Sequence, residues 1–495
     1  MIPATEPLDL EQVKIDPAWA LRVPASLALR RQVLPFAALN GHVYVACADP
    51  SDTAALEAVE RFTGKQAIVS SVDRAVLKTV LARVYGDGSG RISGSLVRPG
   101  AVEVEPDGAV SLVDELLRAA LLRQASDIHI DPTRADVRVR LRVDGVLEDY
   151  RRLPMPMHTA LCSRIKVLAS MDIAERRAPQ DGAFTHRFGS LDSAQAIDVR
   201  VASLPTKFGE RLTLRLLAMD CQGLSLERLG MSPSSLQAME RVLAQPHGLA
   251  LLTGPTGSGK TTTLYSALQR LLASGSLNVI TIEDPIEYDI PGAAQVEVDS
   301  ADKVSFAKSL RSVLRHDPDV VVIGEIRDID TLDVAVKAAL TGHLVLSTLH
   351  TNSAVSAVTR LINMGLEPYL IGATLRVSVA QRLVRRLCRH CRKPRALNRA
   401  EAHALGSPDL AEAQVYEAQG CMYCAGRGFV GRMGVFECMA PDAETAALIS
   451  KGVPEAELLE ALKAKHFRGL MEDAAMKVLA GLTTVKEVLE VVAES

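Results

Sequence analysis

The residues with the clearest chemical potential form the stretch GPTGSGKT, residues 254–261. It matches the pattern G-x-x-x-x-G-K-[ST] at every fixed position, and it lies between a strand-like run, GLALLT, and a helix-like one, TTLYSALQRLLA. Glycines let the main chain wrap a phosphate, Lys260 would reach the β- and γ-phosphates, and the Thr261 hydroxyl would ligate Mg²⁺. A simple glycine-rich turn explains the flanking elements less well, so the sequence predicts a nucleotide site. Its candidate binding residues are Gly254, Pro255, Thr256, Gly257, Ser258, Gly259, Lys260, Thr261 and Thr262.

Carboxylates follow two further apolar runs. Glu325 comes shortly after the run 320–323, and Glu283 and Asp284 end the run NVITIED. In open α/β sheets, ligands bind at the edge where the carboxyl ends of the strands lie. A carboxylate there can polarise an attacking water, directly or through the metal shell. Either acidic pair alone is typical of a solvated strand end, but together with the phosphate loop they favour an active site.

Two histidines, His343 and His350, flank another apolar strand in TGHLVLSTLH. An extended strand would hold them about 20 Å apart, which argues against a shared metal ion. A histidine on an apolar strand is often a hydrogen-bonded core residue. The functional alternative is that a histidine at one end senses the γ-phosphate, and we carry both as candidates.

Four of the eight cysteines form two close pairs, Cys388/Cys391 and Cys421/Cys424. Two C-x-x-C pairs can place four thiolates around one structural Zn²⁺. His390 lies inside the first pair and could replace a ligand. A redox pair would need a thioredoxin-like βαβ context, which the sequence lacks, and buried free thiols are the remaining alternative. The pattern favours zinc.

The elements that must position these residues fall into several segments. Alternation with a period of two between residues 126 and 217 predicts a half-buried antiparallel sheet, and the continuous apolar runs from about residue 248 predict a parallel sheet covered on both faces. We predict an N-terminal α/β domain (1–85), a Gly/Ser-rich linker (86–107), a middle α+β domain (108–225), an α/β nucleotide-binding core (226–387), a tetracysteine module (388–440) and a helical C-terminal subdomain (441–495).

The bulk composition argues against a nucleic-acid binder. The 495 residues carry a net charge of −3 and only 4% aromatic residues, which offers neither a general attraction to phosphate backbones nor many rings for base stacking. The acidic stretch MIPATEPLDLEQ lacks the apolar segment of a signal peptide, and no apolar run approaches the ~20 residues that span a bilayer. We therefore expect a cytoplasmic location.

Four motifs occur in order along the chain: GPTGSGKTTTLY, ITIEDPIEY, LRHDPDVVVIGEIRD and TGHLVLSTLHTNSA. They resemble the Walker A, Asp box, Walker B and His box of the type II/type IV secretion ATPases. SDIHIDP, LRVDG and APQDG resemble the domain that precedes the motor core in that family. The resemblance implies a RecA-like core, a PAS-like middle domain, ATP hydrolysis with Mg²⁺, and a homo-hexamer.

The resemblance also implies roles for arginines. Arg200 and Arg215 match positions by which the family's middle domain closes over phosphates. In the core, the matching arginines act at the site or between subunits; they are Arg311, Arg315 and Arg327. A guanidinium stabilises the charge on a transferring phosphoryl group. Ordinary surface ion pairing is the alternative for each of them. Arg432 matches a family position suspected of reaching a neighbouring subunit.

The resemblance implies partners at the inner face of the inner membrane. Residues 1–85 would dock on the cytoplasmic domain of a secretion protein similar to general secretion pathway protein L, and the core would work on an inner-membrane platform protein. Residues 381–395 carry seven basic residues and no acid, which suggests a solvated basic face or contact with acidic phospholipids. Within the family, a type II secretion ATPase is the first interpretation and a type IV pilus assembly ATPase the second. A nucleic-acid motor and a nucleotide-gated scaffold are the alternatives from other classes.

Overall fold

The computed structural model describes residues 8–86, 106–188, 195–217, 225–273, 275–298 and 305–492. Contacts within the chain define two compact units. The first comprises the described residues up to 217 together with 388–392 and 418–430, and the second comprises the other described residues. The predicted linker lies almost wholly outside the described residues. No helix among the described residues is long and apolar enough to cross a membrane.

The helices are α1 (Pro17–Ala20), α2 (Ala25–Arg31), α3 (Thr53–Thr63), α4 (Arg74–Tyr85), α5 (Pro106–Arg123), α6 (Pro156–Leu168), α7 (Pro233–Leu243), α8 (Lys260–Leu272), α9 (Phe306–Val313), α10 (Ile329–Leu340), α11 (Ser356–Asn363), α12 (Pro368–Thr374), α13 (Arg399–Ala404), α14 (Ala443–Lys451), α15 (Glu455–Lys463), α16 (Leu470–Leu479) and α17 (Val485–Val492). The strands are β1 (Val33–Leu39), β2 (His42–Cys47), β3 (Gln66–Ser71), β4 (Ala125–Pro132), β5 (Asp136–Val143), β6 (Val146–Pro154), β7 (Gln180–Phe188), β8 (Gln195–Thr206), β9 (Gly209–Leu217), β10 (Gly248–Thr253), β11 (Val279–Glu283), β12 (Ala293–Glu297), β13 (Val320–Ile323), β14 (Leu344–Leu349), β15 (Leu375–Leu387), β16 (Lys393–Ala396), β17 (Gln414–Glu417) and β18 (Phe429–Met439).

The N-terminal part of the first unit is a small α/β layer. Its sheet has the order β1-β2-β3, in which β1 is antiparallel to β2 and β2 is parallel to β3. Phe36, Val45 and Leu81 are fully buried in its core. The predicted small α/β domain is confirmed.

The second part of the first unit is a six-stranded antiparallel sheet with the order β6-β5-β4-β9-β8-β7, packed on α5 and α6. In β5, Val137, Val139 and Leu141 are fully buried, while the alternating arginines Arg138 and Arg140 pair with acids of neighbouring strands. Because successive strand residues point to opposite faces, this alternation gives one core face and one polar face. The predicted half-buried antiparallel sheet is confirmed.

The second unit is built on a seven-stranded sheet with the order β12-β11-β13-β14-β10-β15-β18. Strands β10 to β14 pair in parallel, and β10 also pairs in parallel with β15. All residues of β10, β13 and β14 are buried, as expected for strands covered on both faces. The predicted parallel core sheet is confirmed, and its carboxyl edge carries the phosphate loop and Glu325.

The predicted tetracysteine module, residues 388–440, does not belong to a single compact unit. Its cysteine pairs group with the first unit, whereas residues 393–417 group with the second. The intervening segment contributes Leu397 and Val415 to the core of the second unit. Its hairpin of β16 and β17 is antiparallel. Helices α14 to α17 follow β18 and form the helical C-terminal part.

Candidate functional site

The phosphate loop (residues 254–261) joins β10 to α8 at the carboxyl edge of the parallel sheet. Gly254 and Gly259 adopt φ values of 146° and 89°. A Cβ at Gly254 would lie 2.6 Å from the Gln381 carbonyl oxygen, and one at Gly259 would lie 2.7 Å from Gln381 Nε2. These positions therefore require glycine both for backbone conformation and for close packing against β15. The helix α8 begins at Lys260, so the loop ends at a helix N-terminus, which favours a bound phosphate.

The Lys260 ammonium group is hydrogen-bonded to the main chain of the phosphate loop. Its Nζ donates to the carbonyl oxygens of Gly254 at 2.7 Å and Pro255 at 3.0 Å. Burial lowers the pKa of Lys260 to about 8; the nearby Glu325 carboxylate opposes this shift and the Arg382 guanidinium adds to it. A buried ammonium beside main-chain amides is suited to bind the phosphates of a nucleotide. Thr261, the predicted Mg²⁺ ligand, is the second residue of α8 and is half-buried.

Glu325 and His350 meet beside the phosphate loop. Glu325 follows β13 and His350 follows β14, and these strands pair in parallel, so their ends meet at one edge. His350 Nε2 lies 3.2 Å from Glu325 Oε2. Thr348 donates its hydroxyl to the Gly324 carbonyl at 2.7 Å, which ties the two strand ends together. The structure thus brings Lys260, Glu325 and His350 to the same edge of the sheet.

His343 does not join this site. It precedes β14, and its carbonyl accepts a hydrogen bond from Gly248 N at the start of β10. Its Nδ1 lies 3.0 Å from the Ala338 carbonyl at the end of α10. His343 therefore lies at the amino edge of the sheet, and the expectation that it shares the nucleotide pocket is wrong. Of the two histidines, only His350 lies at the carboxyl edge, in contact with Glu325.

Glu283 is buried at the end of β11 and is held by three donors. Its oxygens accept from the Tyr265 hydroxyl, from Thr281 Oγ1 at 2.6 Å and from Gln295 Nε2 at 3.1 Å. Burial, together with the hydrogen bond to Glu283, raises the pKa of Tyr265. Since Tyr265 belongs to α8, Glu283 anchors the helix that carries the phosphate loop. The Glu283 carboxylate, predicted as an active-site group, is thus occupied by hydrogen bonds within the protein in this arrangement.

The predicted arginines occupy three surroundings. Arg200 and Arg215 lie directly opposite each other on β8 and β9 of the first unit, and Arg215 pairs with Asp127 at 3.2 Å. Arg311 is exposed on α9, and Arg315 donates to the Arg311 carbonyl at 3.0 Å. Arg327 pairs with Glu325 and, at 3.7 Å, with Asp284. Its hydrogen bond to Glu325 raises the pKa of Arg327. Of these five, Arg327 contacts a proposed catalytic residue.

Sequence reasoning missed the residues that β15 brings to the pocket. A cavity of about 310 Å³ beside the phosphate loop is lined by Pro255, Thr256, Gly257, Ser258, Asn352, Arg382, Leu383 and Val491. Arg382 is 3% exposed, and its Nη2 donates to the Asn352 carbonyl at 3.2 Å. The detectable signal in the sequence is Arg382 inside the apolar pattern of residues 375–387, which form β15.

The basic segment 381–395 is not a continuous solvated face. Arg382 is buried, Arg385 pairs with Glu487, and Arg395 pairs with Glu401 and Glu417. At least three of its seven cations are thus buried or paired with acids of the same chain, which weakens the charge available to a lipid surface.

The four paired cysteines form a compact cluster in the first unit. Their Sγ atoms lie within 4.8 Å of one another, with separations of 3.8 Å for Cys388–Cys421, 3.9 Å for Cys391–Cys424 and 3.8 Å for Cys421–Cys424. A tetrahedral Zn²⁺ with bonds of ~2.3 Å has sulfur–sulfur edges of about 3.8 Å, so the cluster fits this ion. His390 stacks on the Tyr423 ring at 3.9 Å, outside the group of four thiols.

Comparisons with known proteins agree with this arrangement. The chain matches the model of the family described as type II/IV secretion system protein over residues 104–490, and an MshEN domain model over residues 2–91. It is 39% identical to type II secretion system protein E of Pseudomonas aeruginosa, over 96% of each chain. It is 38% identical to the type IV pilus assembly ATPase PilB of Thermus thermophilus, over 97% of this chain and 55% of that relative. The crystal structure of the ATPase DotB of Legionella pneumophila superposes with a TM-score of 0.59 at 22% identity, over 80% of this chain and 98% of that chain.

Proposed function

Because the chain belongs to the type II/IV secretion system protein family, we propose that it is an ATPase that couples ATP hydrolysis to pseudopilus assembly and protein export by a type II secretion system. The observation that carries this proposal is the meeting of Lys260, Glu325 and His350 at the carboxyl edge of one parallel sheet. That edge is where an open α/β sheet binds its ligand.

The phosphate loop would hold the triphosphate. The main-chain amides of residues 254–261 would face the phosphate oxygens, and Lys260 would exchange its two carbonyl partners for the β- and γ-phosphates. The Thr261 hydroxyl would hold Mg²⁺, which supplies charge neutralisation between these phosphates.

Glu325 would orient and polarise the attacking water, and His350, in contact with Glu325, would report whether the γ-phosphate is present. Arg327 holds the Glu325 carboxylate and has its own charge partly neutralised by Asp284. Release of Glu325 by Arg327 would accompany nucleotide binding, since phosphate oxygens compete for the same guanidinium.

Assembly into a homo-hexamer would complete the site. Arg311 on α9 and Arg315, which follows the end of α9, are exposed, and a neighbouring subunit could receive them. Arg200 and Arg215 would close over phosphates from the middle domain. An arginine supplied in this way is worth roughly 10³–10⁵ in rate in other phosphoryl-transfer enzymes.

Partners would attach the motor to a membrane machine. Residues 1–85, which include most of the MshEN match, would bind the cytoplasmic domain of an inner-membrane secretion protein similar to general secretion pathway protein L. The inner-membrane platform protein would receive the movement that ATP hydrolysis drives. These two contacts would place the protein in the cytoplasm at the inner face of the inner membrane. Zn²⁺ would be held by Cys388, Cys391, Cys421 and Cys424 as a structural ion.

A second candidate, type IV pilus assembly, is favoured by the similarity to PilB across almost the whole of this chain. Pull-down of the full chain with cytoplasmic domains from candidate secretion and pilus systems would separate the two. Selective capture of a pilus component would replace the first proposal by the second.

The ATPase assignment is tested by Glu325→Gln. We expect phosphate release to fall at least about 100-fold while MgATP binding is retained, because an amide cannot act as the base. Asp333→Asn is the matched control, since Asp333 is a partly exposed carboxylate on α10 that pairs with Lys337 of the same helix. Wild-type turnover in Glu325→Gln would contradict the proposed role.

A further inference from the structure

The spacer residues of the second cysteine pair contact the N-terminal domain of the same chain. The Tyr423 carbonyl accepts a hydrogen bond from Lys14 N at 2.9 Å. The side chains of Met422 and Tyr423 pack against the N-terminal hydrophobic core. Both residues lie between Cys421 and Cys424, so the segment that supplies two thiols also supplies an interface.

Gly426 extends this interface. A Cβ at Gly426 would lie 3.1 Å from Leu39 Cδ1, so the main chain after the second pair lies against the end of β1. We call Met422, Tyr423 and Gly426 the knuckle face. From the first cysteine pair, His390 stacks on the Tyr423 ring with an interplanar angle of 11°. Both cysteine pairs therefore support the knuckle face.

The conformation of the knuckle face depends on sulfur. Residues Met422–Cys424 form a single 3₁₀ turn. Cys424 Sγ accepts hydrogen bonds from Cys421 N at 3.2 Å and Gly428 N at 3.1 Å. Such main-chain donors are the usual outer partners of a thiolate that binds a metal. A segment this short has no core of its own, so metal binding would supply the free energy that orders it.

We propose that the knuckle face is a docking surface for the chain's own N-terminal domain, and that Zn²⁺ binding and N-terminal docking stabilise each other. Linkage requires the effect to be reciprocal: the factor by which the ion favours docking equals the factor by which docking favours the ion. The N-terminal domain keeps its own buried core, so loss of zinc would undock it without unfolding it.

Hydrogen exchange of the Lys14 amide reports docking directly, because its acceptor is Tyr423. In the full-length protein, removal of zinc with a chelator should accelerate exchange at Lys14 about tenfold or more. The Val45 amide, inside the N-terminal sheet, serves as the internal control and should keep its protection. Unchanged Lys14 protection in protein shown by metal analysis to be zinc-free would overturn the proposal.

The reciprocal test changes the N-terminal domain and measures the metal. Leu39→Ala should raise the zinc dissociation constant of the full chain about fivefold or more, measured by competition with a chromophoric chelator. Ile68→Ala, an exposed apolar residue on β3, is the matched control and should leave it unchanged. Leu39 is not one of the four clustered cysteines, so a change in zinc affinity would have to pass through its contact with Gly426. A wild-type zinc affinity in Leu39→Ala would contradict the coupling.

Discussion

At the scale of single residues, Lys260 carries a charge that its surroundings disfavour. Burial lowers its pKa to about 8 in the absence of nucleotide, while bound phosphates would keep it protonated. The cation therefore persists below pH 8 and is lost as the pH rises through 8. We expect the dissociation constant of a non-hydrolysable MgATP analogue to be flat below pH 7 and to rise up to about tenfold per pH unit above 8. A fluorescence titration between pH 6.5 and 9.5 measures this profile.

Lys260→Arg is the control for this titration, because a guanidinium stays charged throughout the range. Its binding should be weaker overall and independent of pH. A wild-type profile that remains flat to pH 9.5 would show that Lys260 does not set the affinity.

The two histidines give a second test at this scale. His350 contacts Glu325, whereas His343 contacts the end of α10 at the opposite edge of the sheet. We expect His350→Ala to lower kcat about tenfold with little change in KM, because the lost contact orients a catalytic group. His343→Ala should keep kcat within about twofold and lose at most ~1 kcal/mol of stability through its hydrogen bond. Steady-state ATPase assays with thermal denaturation distinguish the two effects, and equal losses of kcat would contradict the assignment.

The sequence could not tell these histidines apart, because both flank the same apolar run. Strand direction decides which one reaches the carboxyl edge, and that direction follows from parallel pairing with β10 and β13. Glu283 illustrates a similar limit. Its position at a strand end was predictable, but its burial under Tyr265 and Gln295 depends on side chains 18 and 12 residues away.

At the scale of elements, local pattern predicted most of the sheets. Alternation in β5 and continuous burial in β10, β13 and β14 each follow from how many faces of the strand are covered. The strand β15 was missed because its buried polar residues, Gln381 and Arg382, interrupt the apolar pattern. Those residues are polar because they contact the phosphate loop, and that contact cannot be read from the neighbours of β15 in sequence.

The helix cap at Asp328 gives a prediction at this scale. Asp328 caps α10 by accepting from Thr331 N at 2.7 Å, and it lies three residues after Glu325. Asp328→Ala should cost about 1 kcal/mol of stability and should also lower kcat about threefold, because the short connection from β13 to α10 positions Glu325. Chemical denaturation and ATPase assays measure the two effects.

Ser232→Ala is the matched control, because Ser232 caps α7 with the same type of bond, to Ser235 N. It should cost similar stability and leave kcat unchanged. A fall in kcat of the same size in both variants would mean that global stability, and not the position of Glu325, explains the result.

At the scale of the whole molecule, segments that are consecutive in sequence do not all belong to the same compact unit. The cysteine pairs group with the first unit although they follow the nucleotide-binding core, and residues 393–417 remain with the second. A sequence reading assigns consecutive residues to one module, so it predicted the cysteine cluster but not the surroundings of that cluster. The spacer between the pairs is long because it contributes Leu397 and Val415 to the second core.

The exposed Arg311 on α9 leads to a test of assembly. If Arg311 acts on the site of a neighbouring subunit, Lys260→Ala and Arg311→Ala subunits should each be inactive alone yet complement one another when mixed. A productive interface then has an intact Lys260 in one subunit and an intact Arg311 in the next. With random mixing in equal amounts, about one quarter of the interfaces meet this condition, so we expect up to about one quarter of the wild-type rate. Arg270→Ala, an exposed arginine on α8 that pairs with Glu240, controls for the loss of a surface charge and should be active alone. If the mixture regains no activity although sedimentation shows mixed hexamers, Arg311 does not act between subunits.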